Sequence, residues 1–380
     1  GLGDGDDDVR DAVKAPLPLR SLDAMTVCKL VCGGLHTGAL TLDGRVWTWG
    51  CNDDEVLGRA GDEGLPLVVE GGLLGKRVTQ ISAGDSHMAA LTSEGQVFSW
   101  GTYKDSNGYI GWDAERQKAA SPMLVPGLPA MRYIASGTDH TLGVTRDGFE
   151  AYGWGCGEKG QLGLGELAWE RDTKRRYVVP TKPFSVRALA GSDTFSGAKG
   201  RLMRALNGNF VEWAAARVET EPAADLSEGC EKFLDHLSAL DAQGSSLDDR
   251  LQLTGCFAGA YHSFVLTEHG NVFAFGLNNM GQLGLGSLEP NSTGTPTMVE
   301  AFEGKGVTSL CGGEHHSLAL TEDGAVYAFG RGDNNQLGFA DGTEQQLTPR
   351  RVEALAAVEV RKVGCGSNQN VAVSRSGDLY

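Results

Sequence analysis

Between Met88 and Trp100 two short apolar-rich runs, Met88 to Thr92 and Gln96 to Trp100, flank Glu94-Gly95, and Val97 and Phe98 stand among polar neighbours. Two such runs around a glycine free to take positive φ predict a β-hairpin. The same pattern recurs from Cys32 to Gly58, Ser136 to Gly163, Ala258 to Gly284 and Cys311 to Gly338, with a shortened copy from Cys365 to Tyr380. The starts at 32, 83, 136, 258, 311 and 365 lie 51, 53, 122, 53 and 54 residues apart. A period near fifty predicts a propeller or a solenoid.

Each of the five longer copies opens on a small residue and Gly, carries His four places after its start, forms the hairpin, and reaches an aromatic-Gly pair: Trp49-Gly50, Trp100-Gly101, Trp154-Gly155, Phe275-Gly276 and Phe329-Gly330. A turn such as Gly160-Gln-Leu-Gly163 follows. Proline-led pieces, Pro122 to Val125, Pro296 to Val299 and Pro349 to Val352, and runs such as Val307 to Leu310 add material for about four strands per repeat. The expected fold is all-β, a β-propeller forming a single domain over 1–380, with blades near 32–82, 83–135, 136–191, 258–310 and 311–364 and a partial one at 365–380. The long gap marks an insertion at 192–250, where Phe233, Leu234, Leu237 and Leu240 recur at helical spacing behind Ser227. Gly1-Leu2-Gly3 resembles the tail of a Gln-Leu-Gly-Leu-Gly turn and Tyr380 stops inside a hairpin strand. The ring is therefore expected to lack parts at both ends.

Charge narrows the partners. With 33 basic and 49 acidic residues the net charge is −16, which excludes an electrostatic hold on bare nucleic acid by the body and favours a basic partner surface. Cys32, Cys311 and Cys365 stand at one repeat position with Ala83, Ser136 and Ala258, so a small residue is required there rather than a disulfide framework. No apolar run reaches the roughly 18 residues of a membrane span, and Gly1 to Arg10 does not read as a signal peptide, so an intracellular, soluble protein is expected. His36, His87, His140, His262 and His315 share one repeat position, with Gln369 in the sixth copy. They are expected to hydrogen-bond across to neighbouring blades, and their spacing around a ring argues against a metal. No nucleophile elbow, phosphate-cradling loop or paired metal ligand appears, so neither covalent catalysis nor a cofactor is expected.

Departures from the repeat point to function. Eight residues lead from Trp49-Gly50 to Gly58, but ten, TYKDSNGYIG, lead from Trp100-Gly101 to Gly111. With Asn107-Gly108 as its turn, this blade is expected to project a longer tongue bearing Tyr103, Lys104, Asp105, Asn107 and Gly108. Asp85 stands where Gly34, Thr138, Ala260 and Gly313 stand in other copies, and Asp139 where Leu35, Ser86 and Tyr261 stand. Glu170 to Arg176 is a charged run whose Arg171, Lys174, Arg175 and Arg176 form a basic island.

AGDSHMAALTSEGQVFSWGTYKDSNGYIG, with SGTDH, GCGEKGQLG, GAYHSFVLTEHGNVFAFG and GGEHHSLAL, resembles the regulator of chromosome condensation family over nearly the whole chain outside 192–250. The resemblance implies a seven-bladed propeller that binds the small GTPase Ran and acts as its guanine nucleotide exchange factor, with Thr102 to Trp112 as the wedge pushed towards the nucleotide. It implies that Asp85, Asp139 and His315 stand on the exchange face. It further implies docking on core histones of the nucleosome through the Arg171 to Arg176 loop, a nuclear, chromatin-associated location, and DNA contact only through a basic tail that this sequence does not contain. The alternative is a non-catalytic propeller of the same repeat, a scaffold or ubiquitin-ligase accessory protein.

Overall fold

The predicted hairpins form, and in the full blades each is flanked by a strand on either side. In the first sheet β1 (Val27–Cys32), β2 (His36–Thr41), β3 (Val46–Gly50) and β4 (Leu67–Val68) lie in that order. In the second, β5 (Val78–Ala83), β6 (His87–Thr92) and β7 (Val97–Gly101) are completed not by the next strands in the chain, β8 (Tyr103–Asp105) and β9 (Gly108–Ile110), but by β10 (Ala119–Leu124). The structure is a computed structural model that describes residues 18–112, 115–164, 181–185, 252–268 and 270–380. Three further four-stranded antiparallel sheets begin at Met131, Leu253 and Val307, and a two-stranded one begins at Val360. The proline-led pieces supply fourth strands, where a residue without an N–H is tolerated at a sheet edge.

The first strands pack on one another in chain order, from β1 on β5 through to Val307–Gly312 on Val360–Cys365. Their corners bond in sequence: the N–H of Gly34 donates to the carbonyl of Asp85, Asp85 to Thr138, Thr138 to Ala260, Ala260 to Gly313 and Glu314 to Ser367. These corners line an axial cavity of about 480 Å³. The sheets thus radiate from one axis, as a β-propeller requires. Thr138 and Ala260 meet directly, so the third and fourth sheets are neighbours despite the long gap between their repeats; the 192–250 insertion lies outside the described residues.

Burial differs from a simple inside-outside alternation. All six residues of β6 are buried, because a middle strand has a neighbouring blade against each face and both faces must be filled. Trp100, Met88, Ile81, Leu57 and Ile134 belong to one cluster joining the first three sheets.

Four histidines bridge blades, which corrects the expectation at His36 and at His315. Nε2 of His87 lies 3.0 Å from the Thr141 hydroxyl, His140 2.9 Å from Ser263, His262 2.8 Å from Ser317, and His316 2.8 Å from Asn370 Oδ1. The fifth member is His316, not His315. Cys311-Gly312 mimics the small-Gly start, but the bond from the Gly313 N–H to the His316 carbonyl matches Gly84 to His87, which moves the true start to Gly312-Gly313. The middle partners pass the bond on: Ser263 and Ser317 donate to the carbonyls of Gln161 and Gln282, both at 2.8 Å. His36 faces the start of β6, where Met88 replaces the hydroxyl, and among the described residues both its ring nitrogens lack a partner.

Candidate functional site

Antiparallel order puts the first corner of each sheet and the segment after its third strand at the same end, so both belong to one face. On that face the carbonyls of Leu35, Ser86, Asp139, Tyr261 and His315 accept from the N–H groups of Cys51, Thr102, Cys156, Leu277 and Arg331. Asp139 and His315 therefore occupy the same position in the third and fifth blades. Asp85 has Gly34, Thr138, Ala260 and Glu314 as its equivalents, Glu314 replacing the expected Gly313. A Cβ at Gly34 would lie 2.0 Å from Asp85 Oδ1, so the exposed Asp85 carboxylate would have to turn away.

The tongue is a separate two-stranded ladder, with Tyr103 opposite Ile110, Lys104 opposite Tyr109 and Asp105 opposite Gly108. Its turn sits one residue earlier than Asn107-Gly108 suggested. Ser106 and Asn107 are the central residues, and the Asn107 N–H donates to Asp105 Oδ1 at 2.8 Å. Gly108 is the fourth residue, at φ 112, a conformation that favours glycine. Ser106, Asn107 and Gly108 are exposed, and Asp105 is half-buried.

Tyr103 does not belong to the exposed set expected of it. Its side chain is fully buried, stacked on His87 with ring centroids 4.0 Å apart. Its hydroxyl lies 3.0 Å from Ser99 Oγ and 3.1 Å from Thr141 Oγ1, and accepts from Trp154 Nε1 at 2.8 Å. Burial pushes the phenol up to about 12. Tyr103 is the root of the tongue rather than a surface for a partner.

Acids from both neighbouring blades hold the hairpin. Asp139 Oδ1 accepts from the Lys104 N–H at 2.9 Å. Burial raises its carboxyl to about 6, the Asp85 charge adding to the rise and the Lys104 N–H opposing it. On the first-blade side Lys104 Nζ lies 2.6 Å from Asp54 Oδ2 and Lys118 Nζ 3.1 Å from Asp54 Oδ1. Burial works against ionisation of Asp54, but hydrogen bonds from Lys104, Ser86 and Lys118 outweigh it and hold the carboxyl well below the usual range. On the third-blade side the Ser106 N–H and hydroxyl donate to Glu158.

His315 lies across the axis, its Nδ1 3.3 Å from Gln282 Nε2 and its ring 6.2 Å from that of Tyr261. Burial lowers its pKa, with Glu314 opposing and Arg331 reinforcing the shift, so at neutral pH it offers a hydrogen bond rather than a charge. Asp85 is exposed and lies near Asp139 and Lys104 rather than His315. Asp54, Lys118 and Glu158 were not singled out from the sequence. Asp54 and Glu158 sit in turns equivalent to those of the other blades, where a carboxylate looks like any solvated one. Arg171, Lys174, Arg175 and Arg176 lie outside the described residues.

A model of the Regulator of chromosome condensation (RCC1) repeat matches residues 43–91, 94–144, 150–197, 269–320 and 323–373. Protein pim1 of Schizosaccharomyces pombe is 33% identical over 413 residues, an alignment covering 100% of this chain but only 63% of pim1. The Regulator of chromosome condensation of Homo sapiens is 33% identical over 362 residues, covering 93% of this chain and 71% of the relative. Among solved structures, Prp20p of Saccharomyces cerevisiae, described with its binding properties to Gsp1p and histones, matches with a TM-score of 0.73 at 23% identity, covering 100% of this chain and 76% of that one.

Proposed function

The chain belongs to the regulator of chromosome condensation repeat family, and on that premise we propose that it is a guanine nucleotide exchange factor for a Ran-like small GTPase. The observation that carries this reading is the β8–β9 hairpin. Among the described blades, the second alone replaces the Gln-Leu-Gly type of turn with an extra ladder, and Asp85 and Asp139 stand beside it on the same face.

Exchange needs no acid, base or covalent step. It needs a surface that binds the nucleotide-free GTPase better than the loaded one, so that contacts displacing Mg²⁺ and phosphate ligands are repaid only as the nucleotide leaves. In this mechanism the tip from Asp105 to Gly108 is the wedge, Asp85 and Asp139 hold basic groups of the GTPase, and neutral His315 donates or accepts on the far side of the axis. The acidic face attracts a basic patch and speeds encounter. Core histones are the second partner, met by the Arg171 to Arg176 loop, which supports a nuclear, chromatin-associated role. The likeness to pim1 and to the human regulator supports the exchange reading, and the Gsp1p and histone binding described for Prp20p supports the same two classes of partner.

The test is release of a fluorescent GDP analogue from the cognate GTPase with catalytic amounts of the chain. Acceleration lost on shortening 102–111 to the length of the first-blade turn supports exchange. Tight binding of other proteins without any acceleration favours the scaffold.

A further inference from the structure

A two-stranded hairpin with three residue pairs cannot hold an orientation by itself. Its root is fixed by Tyr103 and by Trp112, whose Nε1 donates to the Gly101 carbonyl at 3.0 Å, but its direction above the face must come from elsewhere. Three groups from this segment converge on one carboxylate of the first blade. Lys104 comes from the outgoing strand, Tyr109 from the returning strand, its hydroxyl donating to Asp54 Oδ1 at 3.3 Å, and Lys118 from the stretch leading into β10. The two ammonium groups also flank the Tyr109 ring, 5.7 and 5.0 Å from its centroid. The Asp54 side chain is 17% exposed, so these bonds are sheltered from the screening that weakens surface ion pairs.

We propose that Asp54 is a positioning residue: by gathering Lys104, Tyr109 and Lys118 it sets the hairpin in the orientation used for exchange, and the wedge meets the GTPase preformed. This rests on the exchange reading above. Asp54 has both oxygens engaged within the chain, so it acts through the hairpin. Ordering the wedge beforehand spares the complex that cost when it forms, and the benefit appears in the rate of nucleotide release from the bound GTPase.

The experiment compares the full chain with its Asp54→Asn variant by amide hydrogen exchange and by steady-state GDP release, with thermal melting as a check on folding. The expected result is faster amide exchange over Lys104 to Tyr109, a fall in kcat of about ten-fold, and a change in KM of no more than about two-fold, the pattern of a positioning loss. Asp54→Glu restores part of kcat. The Lys104→Gln, Lys118→Gln pair reproduces the loss, and adding Asp54→Asn to it changes little further. Hairpin amide exchange equal to wild type, or an unchanged kcat beside an active wild type, overturns the assignment. A wild-type chain that accelerates nothing overturns the exchange reading and the kinetic half of this one, while amide exchange in Asp54→Asn still decides whether the clamp exists.

Discussion

Tyr103 fills, in the second blade, the place that a turn carbonyl fills elsewhere. Ser263 and Ser317 donate to Gln161 and Gln282 carbonyls, whereas Thr141 lies against the Tyr103 hydroxyl. Tyr103→Phe leaves Trp154 Nε1 and the Ser99 and Thr141 hydroxyls short of a buried partner, and is expected to cost about 1–3 kcal/mol, read as a lower unfolding midpoint in denaturant. The seam histidines differ in the same sense. His262→Leu removes the ring nitrogen that donates to the buried Ser317 hydroxyl, whereas His36 has no partner to lose among the described residues. His36→Leu is therefore expected to be the milder of the two in thermal melting. At Asp139 the consequence is functional. Its carboxyl, raised to about 6, gains its charge as pH rises through that value, so association with a basic partner should strengthen from pH 5 to 7, and Asp139→Asn should flatten this part of the profile in stopped-flow association.

At the scale of the element, the hairpin's existence was legible in two extra residues and an Asn-Gly pair, yet its turn formed one place earlier. Asp105 accepts from the Asn107 N–H and Gly108 closes the turn, an arrangement that uses Asp first and Gly fourth. Gly108→Ala tests the element separately from its clamp. Among the described residues no atom lies within 4 Å of the added Cβ, so the cost is backbone strain, about 1–2 kcal/mol for the left-handed region. We expect slower catalysed GDP release with a nearly unchanged melting temperature. A cooperative loss of the whole fold would show that the hairpin supports the blade rather than standing upon it. The register of the fifth repeat is ambiguous in the sequence for a comparable reason. Cys311-Gly312-Gly313 offers two small-Gly starts, and only the corner hydrogen bonds distinguish them.

Across the whole molecule, the five seam histidines His36, His87, His140, His262 and His316 have pKa values lowered by burial, His140 and His262 to about 3 and His36 to about 4. An unfolded chain takes up protons on these groups near 6.5, so stability is complete above that pH and falls as pH drops from 6.5 towards 3–4. Asp139 opposes them, because its raised carboxyl binds a proton more readily in the folded state. Five groups against one should still give net proton uptake on unfolding between pH 6.5 and 5, measurable from denaturant midpoints; stability independent of pH across that window would refute it. The sequence by itself determined the repeat, the four-stranded blade, the tongue and the family, because glycine turns, aromatic-Gly pairs and loop lengths are local signals that recur at a fixed period. Only the tertiary structure decided that Tyr103 is a root, that His316 rather than His315 belongs to the seam, and that Asp54 and Glu158 grip the hairpin, because blade packing joins residues some fifty positions apart and no local pattern records which side chains meet there.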